Sequence, residues 1–313
     1  MAAVLLAMTS PGAVVASERL AVGGAERSYS LFRPEPAASK PQPLPLVVAL
    51  HGGGGTGTQL QTWLGMDPVA AREGFAVVYP DALDRSWNDG RGDLNRRRHA
   101  GNAPDDVAFL SALVRRLSDQ GIADPGRVFV TGVSNGGMMT YRLACETDGL
   151  YAGYAAVIAN LSTELAASCK PAGGRPMLIM NGTADSLVPW AGGPITVLGQ
   201  QRGTVVSAPA TFDFWQKANG CKGAAAGEKL PDRVRDDGST VEVARATGCS
   251  AEGATLLYRV AGGGHQIPRL VGPSRPLLAR FLGPANRDIE AAEEIWRFFA
   301  SLGPQSLSPM SRR

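Results

Sequence analysis

Short apolar runs alternate with longer amphipathic stretches along most of the chain. Residues 46–50 and 75–79 are continuous apolar runs that each end in a loop, a pattern typical of strands buried on both faces of a parallel sheet. From 104 to 118, apolar residues recur every three or four positions, which predicts a helix with one buried face. Further strands are predicted near 128–130, 154–158, 177–180, 240–245 and 255–260, and further helices near 137–146, 208–218 and 288–301. This alternation predicts an α/β fold with a mostly parallel central sheet and helices on both faces.

Composition supports a folded enzyme-sized domain. Hydrophobic residues make up 44% and charged residues 19% of 313 positions, which excludes a disordered chain. We find no internal repeat, and we predict one catalytic domain over 17–303 followed by a flexible tail over 304–313. The formal net charge of +3 is mostly unclustered, so neither a nucleic acid nor a membrane is expected as a partner. The oligomeric state is not predicted.

Two features favour export of the protein. Residues 1–16 are small and apolar, too short and broken to span a bilayer, and predict a signal peptide cleaved near Ala16. The four cysteines lack the spacing of a zinc site, so no metal is expected and disulfides are preferred. Four cysteines permit three connectivities, of which the sequential one is favoured; buried free thiols in a cytosolic enzyme are the alternative.

A nucleophilic serine is predicted at Ser134. The motif Gly132-Val133-Ser134-Asn135-Gly136 follows a predicted strand and opens a predicted helix. That context is what a nucleophile elbow requires, because a sharp strand-to-helix turn presents the serine hydroxyl at the carboxyl end of the sheet. A structural turn is the alternative interpretation.

The catalytic base and acid follow almost by elimination. The chain has three histidines, His51, His99 and His265. Partners in this type of fold come in the order serine, acid, histidine, so His265 is the predicted base. Asp185 lies just beyond a predicted strand between the two and is the predicted acid that orients the imidazole; a loop-capping role is the alternative for it.

The glycine run after His51 permits two interpretations. Literally, Gly52-x-Gly54-x-x-Gly57 followed by Asp81 satisfies a dinucleotide-binding fingerprint, which would indicate an NAD-binding oxidoreductase. The same run is typical of a loop whose backbone N–H binds an oxyanion. Only this second interpretation also uses the serine motif, so we predict an oxyanion hole from the N–H groups of Gly53 and Asn135, with Gly54 as the alternative register.

Together these segments resemble a known family. LHGGGGTG, DDVAFL, RVFVTGVSNGGMM, NGTADSLVPW, GGGHQIP and IWRFF occur in this order over about residues 25–301 and resemble secreted polyhydroxybutyrate depolymerase, feruloyl and acetylxylan esterases. The resemblance implies an α/β-hydrolase fold and a Ser134–Asp185–His265 triad. It also implies the cystine pairs Cys145–Cys169 and Cys221–Cys249. The family often has tryptophan where this chain has Ile267, so the pocket beside the catalytic histidine is expected to differ.

The predicted function is a secreted serine esterase that needs no cofactor. Hydroxycinnamoyl or related plant cell-wall esters are the favoured substrates, small or oligomeric and free or polysaccharide-linked. A short-chain polyester or oligomer hydrolase and a non-catalytic binding protein are the alternatives. Predicted substrate contacts are Trp190, Trp87, His51 and Ile267, where an exposed indole would stack on an aromatic acid; packing on the core is the alternative for either tryptophan. Arg96–Arg98 are interpreted as a solvated loop, with an anionic ester as an alternative contact.

Overall fold

A computed structural model describes residues 14–34, 43–92, 103–250, 254–270 and 280–303 of the chain. His99, the arginines beside it, the first thirteen residues of the predicted leader and the predicted tail lie outside these ranges. The division into leader, catalytic domain and tail therefore stays a prediction.

Across the described residues, an eleven-stranded mixed sheet organises the molecule, in the order β1-β2-β4-β3-β5-β6-β7-β13-β12-β10, with β11 also paired to β12. The strands of this sheet are β1 (Val14–Val22), β2 (Ala25–Arg33), β3 (Leu44–Leu50), β4 (Ala76–Pro80), β5 (Ala123–Val133), β6 (Gly153–Val157), β7 (Met177–Gly182), β10 (Gly223–Ala224), β11 (Glu228–Lys229), β12 (Thr240–Thr247) and β13 (Thr255–Ala261). Neighbours from β4 to β13 pair in parallel, whereas β1, β2, β10, β11 and β12 pair antiparallel. The predicted mostly parallel centre is confirmed.

Helices cover both faces of the sheet, as predicted. They are α1 (Gly57–Leu64), α2 (Met66–Glu73), α3 (Asp106–Asp119), α4 (Asn135–Glu146), α5 (Thr163–Ser168), α6 (Ala208–Ala218) and α7 (Ala291–Ser301). Successive β3 residues point to opposite faces, so Val48 packs in the cluster with α3, α4 and α6, while Val47 packs in the cluster with α1, α2 and α7. Burial on both faces explains why β3 reads as a continuous apolar run.

The β1–β2 hairpin occupies a stretch that the sequence did not reveal as strand. Its register runs from Val14 opposite Arg33 to Val22 opposite Ala25. Cleavage after Ala16 would remove the first three residues of β1. The cleavage site stays a prediction that N-terminal sequencing must test.

A second hairpin stands apart from the main sheet. Strands β8 (Gly193–Val197) and β9 (Gln200–Val205) pair with each other, and the turn between them holds Leu198 in the left-handed region at φ 51°. Leu198 is 98% exposed at the tip. The hairpin is held to the rest of the fold by a bridge from Val205 to Ser162. It therefore forms a separate wall beside the carboxyl end of the parallel strands.

Both disulfides have the sequential connectivity. Cys145 is bonded to Cys169, which joins the end of α4 to the residue after α5, and Cys221 is bonded to Cys249. All four cysteines are thereby paired. Such bonds persist in oxidising compartments, so the covalent structure fits a protein that acts outside the cytosol.

Candidate active site

Ser134 lies in the sharp turn between β5 and α4. Its backbone has φ 56° and ψ −118°, a conformation that residues other than glycine rarely adopt. The turn is possible because its neighbours lack side chains: a Cβ on Gly132 would clash with the carbonyl oxygen of Gly136, and a Cβ on Gly136 would clash with that of Leu50. The motif spacing thus reflects the close packing of elbow, helix and β3.

Ser134, His265 and Asp185 form one hydrogen-bonded chain. His265 Nε2 lies 3.0 Å from Ser134 Oγ, and Asp185 Oδ2 lies 2.7 Å from His265 Nδ1. The second carboxylate oxygen of Asp185 accepts the backbone N–H groups of Leu187 and Val188, both at 2.8 Å. These bonds fix the carboxylate in position to accept a hydrogen bond from the Nδ1–H of His265. The unprotonated Nε2 then faces the serine hydroxyl.

Glycines at the end of β7 and after β13 bring the acid and the base together. A Cβ on Gly182 would clash with the carbonyl oxygen of Gly263, and one on Gly264 would clash with that of Leu282. The backbone N–H of His265 donates to Leu282 O at 2.5 Å, which fixes the backbone that carries the imidazole. Asp185 and His265 are each only 8% exposed. The glycine run before the histidine is therefore a packing requirement.

The other glycine loop lies directly against the elbow. A Cβ on Gly52 would lie 3.5 Å from Ser134 Cβ, and one on Gly53 would lie 3.6 Å from Asn135 Cβ. The Gly54 N–H donates to Arg85 O at 2.7 Å, so the alternative register for an oxyanion donor is already occupied. Within the described part of the chain, the N–H groups of Gly53 and Asn135 have no acceptor. Both donors are free to bind an oxyanion beside Ser134.

The side chain of Asn135 anchors the elbow to a buried network that the sequence did not suggest. Its Nδ2 donates to Asp89 Oδ2 at 2.5 Å and to Trp87 O at 3.1 Å, and its Oδ1 accepts the Trp87 N–H at 2.8 Å. Asp89 is fully buried and forms an ion pair with Arg91 at 2.6 Å. The network holds the first residue of α4, whose N–H points toward the predicted oxyanion.

Trp87 and His51, two predicted substrate contacts, are both almost inaccessible, although His51 belongs to the lining of the cavity above Ser134. Trp87 is fully buried and its indole N–H donates to His51 O at 2.9 Å, so it has no face to offer a ligand. His51 is 1% exposed; Nδ1 lies 2.8 Å from Gly52 O, and Nε2 accepts the Ala82 N–H at 3.0 Å. Burial lowers the pKa of His51 below its ordinary 6.5, consistent with a neutral ring that braces the glycine loop.

A cavity of about 1090 Å³ opens above Ser134. Ile267 lies in its wall, as the sequence predicted for a pocket residue. Trp190 does not line the cavity. It is half-buried against the core, with the Arg259 guanidinium 6.0 Å from its ring centroid, and its stacking on a substrate stays a prediction. Trp63 on α1 lines the cavity and is 43% exposed. In the sequence, the spacing of three residues between Leu60 and Trp63 was the signal that could have predicted helix α1.

The dinucleotide interpretation fails on the placement of its residues. Asp81 accepts the Gly57 N–H at 2.8 Å and the Ser28 hydroxyl at 2.7 Å, so this carboxylate braces α1 instead of facing a ribose. Across the described ranges, no group of three His, Cys, Asp or Glu side chains is arranged to hold a metal ion. None of the described helices has the length and hydropathy needed to cross a bilayer.

Comparison with known proteins agrees with this geometry. Residues 27–170 match the family model Esterase PHB depolymerase. The putative esterase NocK of Nocardia uniformis is 28% identical over 90% of this chain and 81% of its own length. Feruloyl esterase B of Piromyces equi is 29% identical over 49% of this chain, which spans only 28% of that relative, and feruloyl esterase D of Neurospora crassa is 26% identical over 76% of this chain and 66% of its own.

The segment 27–170 that matches this family model covers a little under half of the 313 residues, and it includes the elbow with Ser134. The chain is a carboxylic ester hydrolase. The acetyl xylan esterase of Aspergillus awamori has the same fold, with a TM-score of 0.52 at 19% identity over 78% of this chain and 90% of that one. The predicted family resemblance and the α/β-hydrolase fold of this esterase are both confirmed.

Proposed function

We propose that this esterase acts through a Ser134 acyl-enzyme. His265 takes the hydroxyl proton as Ser134 Oγ attacks the ester carbonyl carbon, and the N–H groups of Gly53 and Asn135 stabilise the oxyanion. Protonated His265 then donates that proton to the alcohol as the ester C–O bond breaks. A water molecule repeats the sequence on the acyl-enzyme and releases the acid. The observation that carries the proposal is the continuous Ser134–His265–Asp185 chain at the floor of the cavity.

Covalent labelling tests this mechanism. A fluorophosphonate probe should label wild-type enzyme at Ser134, and Ser134→Ala should abolish both labelling and p-nitrophenyl ester hydrolysis. Ser168→Ala is the matched control. Ser168 is the last residue of α5, its hydroxyl donates to the carbonyl oxygen of Glu164, and it does not line the cavity. Hydrolysis that survives in Ser134→Ala at the rate of the Ser168→Ala control would overturn the assignment.

We propose hydroxycinnamoyl esters as the substrate class. Two relatives are named feruloyl esterases, and the cavity combines an apolar wall with the exposed indole of Trp63. A stacked aromatic pair contributes roughly 0.5–1.5 kcal/mol, so Trp63→Ala should lower kcat/KM for methyl ferulate about tenfold. Trp190→Ala serves as the comparison, because the same residue type there lies outside the cavity lining. A loss confined to Trp190→Ala would restore the stacking role predicted from the sequence.

The family description keeps short-chain polyesters as the second candidate. The two candidates separate in one substrate panel, comprising methyl ferulate, acetylated xylan, 3-hydroxybutyrate oligomers and aliphatic esters. The first proposal requires the highest kcat/KM for methyl ferulate. Faster turnover of the 3-hydroxybutyrate oligomers would select the polyester alternative.

We also propose that the enzyme acts after export, on esters outside the cytosol. The two disulfides support an oxidising compartment. N-terminal sequencing of protein recovered from outside the cytosol tests the proposal. A mature terminus near Ala16 is expected, and an intact Met1 would exclude cleavage there.

A further inference from the structure

Arginines dominate the charged lining of the cavity. Of the described residues around it, five are arginines, namely Arg85, Arg91, Arg202, Arg269 and Arg287, whereas the carboxylates are Asp89 and Asp237. Five positive charges less two negative ones leave an excess of three positive charges among these described lining residues. The charged side chains around the cavity are therefore predominantly positive.

Two of these arginines are neutralised locally. Arg91 pairs with Asp89 at 2.6 Å, and Arg269 pairs with Glu290 at 3.2 Å. Among the described ion pairs, none involves Arg85, Arg202 or Arg287.

The side-chain contacts of two of these three arginines are to uncharged oxygens. Arg85 Nε donates to Gly55 O at 3.3 Å and its Nη2 to Gln59 Oε1 at 3.4 Å, while Arg202 Nη2 donates to Gln200 Oε1 at 2.8 Å. Among the described residues, neither guanidinium has a carboxylate within ion-pair distance.

Arg85 is held in place by unusual backbone geometry. Asp84 and Arg85 are consecutive non-glycine residues in the left-handed region, with φ of 50° and 58°. This costly conformation lets Arg85 O accept the Gly54 N–H at 2.7 Å, immediately after the oxyanion donor Gly53. The backbone of Arg85 is therefore tied to the loop that would hold the reacting carbonyl, and its side chain lines the cavity beside that loop.

Arg202 enters the cavity from the separate β8–β9 hairpin. Its carbonyl accepts Arg91 Nη1 at 2.7 Å, and Arg91 in turn is paired with Asp89, the partner of Asn135. The strand that carries Arg202 is thus tied to the nucleophile elbow through buried bonds. The backbone of Arg202 is therefore fixed beside the elbow, and its side chain contributes to the cavity wall.

We infer that the cavity selects esters whose acyl or alcohol portion carries a carboxylate, bound by Arg85 and Arg202. A guanidinium matches a carboxylate with paired charge-assisted hydrogen bonds, and a cleft lined by one sign of charge concentrates ligands of the opposite sign. The inference rests on the proposed ester hydrolysis and narrows its substrate class.

Matched substrate pairs test the inference and locate the anion. The acyl-side pair is p-nitrophenyl monoadipate against p-nitrophenyl hexanoate, and the alcohol-side pair is 4-acetoxybenzoate against methyl 4-acetoxybenzoate. In at least one pair the anion should have about tenfold higher kcat/KM at low ionic strength, and the advantage should shrink in about 0.5 M salt. The pair that shows it identifies which side of the ester carries the carboxylate.

Failure of this inference is distinct from failure of the esterase mechanism. If both neutral esters react as fast as their anionic partners or faster, the anion selectivity is wrong and ester hydrolysis stands. If Ser134→Ala retains full activity on every substrate, the mechanism itself is wrong.

Charge-removing variants test the two named arginines. The double variant Arg85→Gln/Arg202→Gln should lower the ratio of anionic to neutral kcat/KM about tenfold. A ratio is used because general damage to the site cancels from it. Arg245→Gln is the control, since Arg245 is exposed on β12 outside the cavity lining. An equal fall in the control would show that net charge, and not this site, governs the preference.

Discussion

Protonation of His51 should destabilise this esterase below neutral pH. The His51 ring is neutral in the fold because its Nε2 accepts the Ala82 N–H and the residue is only 1% exposed. A proton added to Nε2 would replace this hydrogen bond with a repulsive contact between two donors. Burial is the largest cause of the lowered pKa of His51, and Arg85 adds to it, whereas Gly52 O and Asp81 oppose it. The unfolded chain therefore binds the proton more tightly than the folded one.

The magnitude follows from proton linkage. A group whose folded pKa is lowered contributes stability above its unfolded pKa, here 6.5, and loses that contribution as the pH falls through the folded pKa. One proton limits the slope to about 1.4 kcal/mol per pH unit, so the loss in free energy of unfolding between pH 6.5 and about 5.0 is at most about 2 kcal/mol.

A double difference isolates this residue. His51→Gln retains an acceptor for the Ala82 N–H but does not titrate, and urea denaturation of both proteins at pH 7.5 and 5.0 gives four free energies of unfolding. All other titratable groups are common to both proteins, so their effects cancel in the double difference. The wild type should lose more stability than the variant on acidification. An equal or smaller loss in the wild type would refute the interpretation of His51 as a buried neutral brace.

Three further predictions follow from the site and its supports. Asp185→Asn should lower kcat roughly 10⁴-fold in ester hydrolysis while the thermal midpoint stays nearly constant, because the imidazole loses its orienting charge. Asp89→Asn should lower kcat about tenfold with little change in KM, because Asn135 Nδ2 loses a charged acceptor beside the oxyanion donor. Replacing Cys145 and Cys169 by serine should lower the free energy of unfolding by about 3 kcal/mol in urea titrations, since the bond closes a loop of 24 residues.

Each of these has its own counter-result. Unaltered turnover in Asp185→Asn would remove the carboxylate from the mechanism. For Asp89→Asn, a rise in KM without loss of kcat would indicate substrate binding in place of positioning. For the disulfide variant, wild-type stability under oxidising conditions would show that the unfolded chain is not constrained by this link.

The sequence predicted the parallel core well because its strands are buried on both faces. Such strands appear in the sequence as uninterrupted apolar runs, for example at 46–50 and 177–180. The β8–β9 hairpin was missed because its strands are short, contain glycine and proline, and bury only Ile195 and Val205, which is too little for a period-two pattern to stand out. The β1–β2 hairpin was missed because its first strand overlaps an apolar stretch that was interpreted as a leader.

The same contrast between local and tertiary information applies to the candidate site. Ser134, Asp185 and His265 were predictable because motif spacing and chain order constrain them locally. Trp87 was misassigned because its exposure depends on tertiary packing, which the neighbouring residues in the sequence do not encode. The cationic lining was invisible because its arginines are scattered between Arg85 and Arg287 and meet only in the fold. The sequence drew attention to Arg96–Arg98 instead, which lie outside the described residues.

The β8–β9 hairpin separates substrate choice from chemistry in the architecture of this enzyme. It supplies Ile195, Val197 and Arg202 to the cavity, yet its strands bond to each other and to no strand of the main sheet. Exchanging residues 193–201 would reshape one wall while the acid loop and the base loop keep their own supports, and the elbow keeps its network as long as the Arg202 carbonyl still accepts Arg91 Nη1. An engineer seeking a new acyl preference would therefore randomise this hairpin first, and natural variation among related esterases would be tolerated there at low cost.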